Sequence, residues 1–309
     1  MKNRITSIFL IVLLLFSYSI NCFAVNEQSF SPWSENNIYK GEEETNTLAS
    51  KLDRANLAYI LVEAFDFEPS EDVRMSDVSK DHWAYTYICT AINNGIMKLD
   101  NGKFFPDQYI TREEIPQYFK FLDISYPQSL DMKFKDMDKV SPEYKDMFSA
   151  FVAAGYIQAL SGEYLLPQRI ITITETINIL NKMFPNISNK VLKNAVYDGH
   201  FIMKDNYTYL SNIEITGDMV ITEGTIMKNA NFANNFITLD NITVKGNIYI
   251  MNGSLAGKFI FKNVQANNIV IVGSNPIVIN FSECNFQKFQ TNASLNNIVS
   301  NKLVDIERI

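Results

Sequence analysis

A chain of 309 residues that is 47% hydrophobic can build two domains with cores of their own, and three cysteines exclude a disulfide framework. A formal charge of −7 excludes a general basic footprint for nucleic acid. Any anionic ligand must be held by local donors against an adverse overall field.

The first 24 residues read as a signal peptide. Lys2 and Arg4 form a basic start, residues 8–16 an apolar run, and Cys22-Phe23-Ala24 a cleavage site before Val25. An uncleaved anchor is the alternative, but the run falls short of the roughly 18–20 apolar residues a span needs. Lipidation of Cys22 is another; it wants a small residue where Asn21 stands. Residues 25–50, with Glu42-Glu43-Glu44, lack a periodic apolar face and read as a linker. After cleavage no membrane attachment is expected.

Residues 51–184 carry helix signals. Asp53, Thr111 and Thr172 stand as N-caps; Glu114 and Glu175, three residues after the threonines, complete the capping-box spacing. Apolar residues follow at helical spacing: Leu57, Ile60, Leu61, Ala64 and Phe65; Ile115, Phe119 and Leu122; Ile177, Leu180 and Phe184. Pro116 has no rationale in the second of these. A further helix bears Trp83, Ala84, Tyr87, Ile88, Ala91 and Ile92 and ends at Gly95; its counterpart bears Phe148, Phe151 and Val152 and ends at Gly155. Each glycine is followed seven residues later by another, Gly102 or Gly162, and each proline, Pro106 or Pro167, precedes a cap by five. This is an internal repeat: half a copy at 51–74, a full one at 75–122 and a degenerate one at 134–184.

The full copy reads Asp77-Val78, His82-Trp83-Ala84, Gly95-Ile96, Asn101-Gly102-Lys103-Phe104-Phe105-Pro106 and Ile110-Thr111-Arg112-Glu113-Glu114. It resembles the S-layer homology (SLH) family. In the third copy Ile173 stands in place of the arginine and Glu143 in place of the tryptophan; in the first, Arg54 keeps the arginine place and Asn56 replaces the glutamate. The resemblance implies a helical pseudo-trimeric bundle whose grooves hold secondary cell-wall polysaccharide, typically pyruvylated, on the outside of a Gram-positive cell. It implies a polysaccharide-binding set of Arg112, Trp83, Glu114, Gly102 and Arg54. An arginine fork beside a helix N-terminus suits a carboxylate, and an indole suits a sugar face. Core packing is the competing reading for Trp83, a cap alone for Glu114, and a merely solubilising surface role for Arg112. His82 reads as structural.

Residues 185–208 read as a connector. Beyond them helix signals vanish, and residues 210–225 align without a gap to 239–254, so that Ile213, Ile215, Met219 and Ile221 match Ile242, Val244, Ile248 and Ile250. Period-two apolar residues with glycine corners at 217/246 and 224/253 predict a short right-handed parallel β-solenoid over 209–292, with a tail at 293–309. The fold class is thus multidomain α + β, and a β-sandwich is the alternative for the second part. The Asn-rich stretches (Asn229, Asn231, Asn234, Asn235, Asn267, Asn268) read as turn chemistry.

Three functions compete. The first is a non-catalytic, wall-anchored surface protein whose solenoid is a spacer or interaction module, with other envelope or surface-layer proteins as possible partners. The second is a surface carbohydrate-active enzyme using the solenoid. The third is an SLH-like module repurposed for protein assembly. A solenoid enzyme needs clustered acids, and Glu214, Asp218, Glu223, Asp240 and Glu283 are scattered and change type between aligned positions. No cofactor or metal is expected.

Overall fold

The computed structural model describes residues 50–122, 134–188, 193–204, 209–225, 236–251, 257–273, 277–291, 298–300 and 306–308. The expected signal peptide with Cys22, nearly all of the 25–50 linker, Gly253, and Asn229, Asn231, Asn234 and Asn235 lie outside the described residues. Among the described residues no helix is long and apolar enough to cross a membrane.

The helical module contains α1 (Arg54–Phe65), α2 (Tyr85–Asn93), a 3-10 helix (Ile115–Leu122), a short one (Met137–Lys139), α3 (Lys145–Ala153) and α4 (Ile173–Met183). Its three copies close on one another through backbone. Leu52 N–H donates to Ile171 O at 2.9 Å, Ile171 N–H to Ile110 O at 3.0 Å, and Ile110 N–H to Leu52 O at 3.0 Å. All three residues are buried, so this ring is the axis of a pseudo-threefold arrangement. The next residue in each copy is the helix cap. Asp53 accepts from Asn56 N–H at 2.8 Å, and Thr172 with Glu175 forms a complete capping box.

The middle copy departs from its expected α-helix. Residues 115–122 wind as a 3-10 helix. Pro116 supplies no N–H and crowds the preceding turn, which disfavours the α ladder; Glu114 and Gln117 donate instead to the carbonyls three residues back. Only half of the Thr111 box therefore forms. Glu114 Oε2 accepts from Thr111 N–H at 2.6 Å and from its hydroxyl at 2.8 Å, while Glu114 N–H goes to the Thr111 carbonyl.

Helices pair in prongs. Tyr59 of α1 meets Tyr87 of α2 edge-on at 4.8 Å, and Phe119 meets Phe151 of α3 at 5.6 Å. Phe65 and Phe184 join α1 to the end of α4 at 5.6 Å. These phenylalanines are fully buried, each contributing about 1.5–3 kcal/mol of burial energy. Gly95 and Gly155 end α2 and α3 in the left-handed region, at φ 70° and 77°.

The second part is a parallel β-solenoid of two sheets. One runs β1 (Asn186–Ile187), β3 (Phe201–Met203), β5 (Met219–Ile221), β7 (Ile248–Met251), β9 (Asn268–Val272), β11 (Lys288–Thr291) and β13 (Ile306–Arg308). The other runs β2 (Lys193–Tyr197), β4 (Tyr209–Ile215), β6 (Ile237–Val244), β8 (Gly257–Gln265), β10 (Ile277–Ser282) and β12 (Ile298–Ser300). Every strand pairing is parallel, which removes the sandwich alternative. Ile215, Ile221, Val244 and Ile250 point into the shared core as the period-two pattern predicts. The solenoid is longer than 209–292: the expected connector supplies β1 to β3, and the expected tail supplies β12 and β13. Short strands such as Phe201-Ile202-Met203 have too few residues to show alternation, and only their neighbours define them.

Two devices hold the coils in register. Asn194, Asn212, Asn241 and Asn263 occupy one column, all with φ between 50° and 57°. Each side-chain amide donates to the preceding member, at 2.9, 2.7 and 2.8 Å along the series. Gly217 and Gly246 form a tight corner; a Cβ on Gly217 would lie 2.6 Å from the Gly199 carbonyl carbon, and one on Gly246 2.2 Å from Asp218 Oδ1.

Candidate functional site

The sequence reading puts the forks of Arg54 and Arg112 on a polymer carboxylate. The structure puts both on protein. Arg112 is 4% exposed; its Nε donates to Leu165 O at 2.9 Å, Nη2 to Gln158 O at 2.8 Å and Nη1 to Glu175 Oε1 at 3.0 Å. Burial, the largest influence, lowers its pKa, and the Glu175 carboxylate opposes this. Arg54 repeats the pattern one copy earlier. Its Nε donates to Phe104 O at 2.7 Å, Nη2 to Lys98 O at 3.0 Å and Nη1 to Tyr118 Oη at 3.3 Å. Each arginine leaves the N-terminus of its helix and clamps the loop of the next copy. That loop is braced from its other side by an aspartate. Asp77 accepts from Phe104 and Phe105 N–H, and Asp136 from Leu165 and Leu166 N–H, all between 2.7 and 3.1 Å. Phe105 and Leu166 sit at φ 56° and 54°, a conformation such residues hold only when so restrained.

Gly102 and Glu114 are local structure as well. Gly102 turns the loop at φ 77°, and its carbonyl accepts from Ser76 N–H at 3.0 Å. Glu114 binds its own helix start. Ile173, in the third arginine place, is fully buried, and its N–H donates to Ser50 O at 3.1 Å.

Trp83 is different. It is 41% exposed, just ahead of α2, stacked at 5.9 Å on His82 and edge-on to Tyr59 at 6.1 Å. His82 Nδ1 accepts from Ala84 N–H at 3.1 Å, the structural role expected of it. Trp83 lines a groove of about 320 Å³ between the C-terminal end of α1 and α2, whose other walls include Glu63, Asp66, Phe67, Pro69, Thr86 and Tyr87. The groove offers aromatic faces, the hydroxyls of Thr86, Tyr87 and Thr90 and two carboxylates, and among the described residues no cation lines it. That set suits the stacked face and hydroxyls of a neutral or amino sugar; it does not suit a carboxylate. Arg54 stands at the N-terminal end of α1, whereas the Trp83 groove lies at its C-terminal end.

One cationic spot escaped the sequence reading. Glu175 Oε1 takes both Arg112 and Arg169, and Arg169 is 38% exposed with its Nε buried and lacking a hydrogen-bond partner. Lys182 lies two turns along α4 from Glu175; burial first, and the Arg112 charge second, lower its pKa. Nothing local to Arg169 marks it, because its partner is set by the Glu175 cap.

With this geometry in hand, comparison with known proteins finds the S-layer homology domain over residues 74–115. Residues 74–115 match the S-layer homology domain model. The matched stretch is the middle copy, and it contains Asp77, Trp83, Gly102, Arg112 and Glu114, whereas Arg54, Ile173 and the whole third copy fall outside it. The chain is also similar to the surface-layer 125 kDa protein of Lysinibacillus sphaericus, 28% identical over 154 residues. That similarity covers 48% of this chain and 13% of the relative. Beyond the match, the ring of Leu52, Ile110 and Ile171 ties the flanking copies to the matched stretch.

Proposed function

We propose that this is a non-catalytic surface protein of a Gram-positive cell, held by its SLH copies on secondary cell-wall polysaccharide, with the solenoid as spacer or interaction module and other envelope proteins as its neighbours. The Trp83 groove carries this reading: a half-exposed indole over a sugar-sized cleft, whose α2 wall falls inside the SLH match and whose α1 wall precedes it. The groove takes neutral or amino-sugar units of the polymer. An acidic substituent, such as a pyruvate ketal, is matched instead by the part-exposed Arg169, with Lys182 on the same helix as its partner Glu175. A non-catalytic solenoid is supported by where its acids go. Glu214 pairs with Lys245 at 3.3 Å, Asp240 pairs with Lys262 at 3.5 Å and accepts from Tyr209, and Asp218 and Glu223 are buried.

The test is retention on purified wall sacculi before and after chemical removal of the polymer. The parent is expected to bind only the former. Trp83→Ala is expected to bind about tenfold more weakly, about 1.4 kcal/mol, with its melting curve intact because the side chain is half-exposed. Equal retention on stripped sacculi would replace this reading with an assembly module for another envelope protein. Glycan cleavage by the protein would overturn the non-catalytic part.

Residues 1–24 are proposed to be cleaved on export, leaving a mature chain of charge −9. N-terminal sequencing of wall-extracted protein should begin at Val25; an intact Met1 would end this reading.

A further inference from the structure

The wall of the Trp83 groove is not held by helices alone. Four contacts from the solenoid reach it. Gly224 N–H donates to Asp66 O at 2.9 Å, and Glu68 N–H donates to Glu223 Oε2 at 3.1 Å. Lys204 Nζ donates to Glu63 O. A Cβ on Gly224 would lie 1.9 Å from Asp66 Oδ2 and 2.2 Å from its Cγ, so the Asp66 side chain rests directly on the glycine. Glu63 and Asp66 both line the groove, and Glu68 adjoins its Pro69. Asp66 holds φ 53° as it leaves α1. Left-handed backbone is costly for aspartate unless its surroundings impose it, and here the solenoid corner is part of those surroundings. Glu223 is 3% exposed, so this is a dry, packed seam.

We propose that the solenoid corner at residues 222–225 is a working part of the Trp83 groove: it positions the groove wall, with Gly224 and Glu223 as positioning residues, and so couples the anchor's hold on polysaccharide to the folded state of the solenoid. The polysaccharide half of this rests on the proposed function; the positioning half does not. The corner needs a glycine because Asp66 fills the space a side chain would take. Moving Asp66 moves Glu63 and Phe67 with it, since all three lie on one turn and a half of chain at the end of α1.

The test uses the full mature chain with Trp33→Phe, which leaves Trp83 as the single tryptophan of a chain that has two. Gly224→Ala and Glu223→Ala are compared with the parent by acrylamide quenching of Trp83 and by retention on polymer-bearing sacculi. Both variants are expected to change the quenching and to weaken retention at least about fivefold. Adding Asp66→Gly to Gly224→Ala removes the atoms the new methyl strikes and suits the left-handed backbone, so parent-like quenching should return. That double variant also decides the matter if Gly224→Ala alone does not fold. Folded variants with unchanged quenching, or a double variant that recovers neither fold nor quenching, would overturn the proposal. Altered quenching in a protein whose parent never binds sacculi would leave the positioning standing and remove the polysaccharide reading.

Discussion

Arg112→Ala is expected to destabilise the helical module by about 3–5 kcal/mol, the scale of breaking a buried charged contact. The guanidinium is 4% exposed and all three of its nitrogens donate within the protein. Its removal leaves the Leu165 and Gln158 carbonyls unpaired and opens a cavity between the second and third copies. Glu175 keeps Arg169, which limits the loss on that side. Arg112→Lys preserves the charge but not the fork, and should recover only part of the stability. Arg169→Ala, half-exposed, should cost about 1 kcal/mol or less. Hydrogen exchange over residues 145–183 separates these outcomes, since it follows the third copy alone. An Arg112→Ala protein that is as protected as the parent, yet no longer binds sacculi, would return Arg112 to the ligand.

Why the sequence suggested otherwise is a matter of distance along the chain. Arg112 sits at the first turn of a capped helix, and locally nothing occupies its fork. The carbonyls that do, from Gln158 and Leu165, lie 46 and 53 residues further on. The same holds for Arg54, whose acceptors Lys98 and Phe104 are 44 and 50 residues away. Caps were legible because their partners are three residues off, as with Asp53 and Thr172. The missing arginine at Ile173 is consistent with the clamp. The loop it would hold belongs to the first half of the first copy, which the sequence does not repeat, and the position has become a core residue.

The solenoid was legible by a different route. The gapless alignment at an offset of 29 reproduces the observed register, Ile213 against Ile242 and Ile250 against Ile221. Yet 29 is not the period of the fold. Ala195 pairs with Ile213 after 18 residues, Ile242 with Val264 after 22, and Gly257 with Ile277 after 20. Strand stacking fixes the cross-section of each coil and leaves the length of chain between strands free to vary. The Asn column was missed for this reason: Asn212 and Asn241 share the offset of 29, but with unequal spacing Asn194 and Asn263 join them only once the coils are stacked.

That stacking underlies the last expectation. Ile250→Asp should abolish the cooperative melting of the solenoid, while Lys245→Ala should leave it almost unchanged. Ile250 is fully buried, with Ile221 in register on one side and Ile271 on the other, roughly 4.8 Å away in the hydrogen-bonding direction. A carboxylate there has no donor in a core of Ile, Val, Leu and Phe, so it must either remain buried at a cost of several kcal/mol or pull its coil open. Opening one coil exposes both neighbours, and because each coil is stabilised only by those beside it, the loss spreads along the stack. Lys245 lies outside, 58% exposed, in a surface pair with Glu214 that is worth about 1 kcal/mol at most. Far-UV circular dichroism melts of the full chain report the difference. Equal melting of the two variants would mean that Ile250 does not face the core.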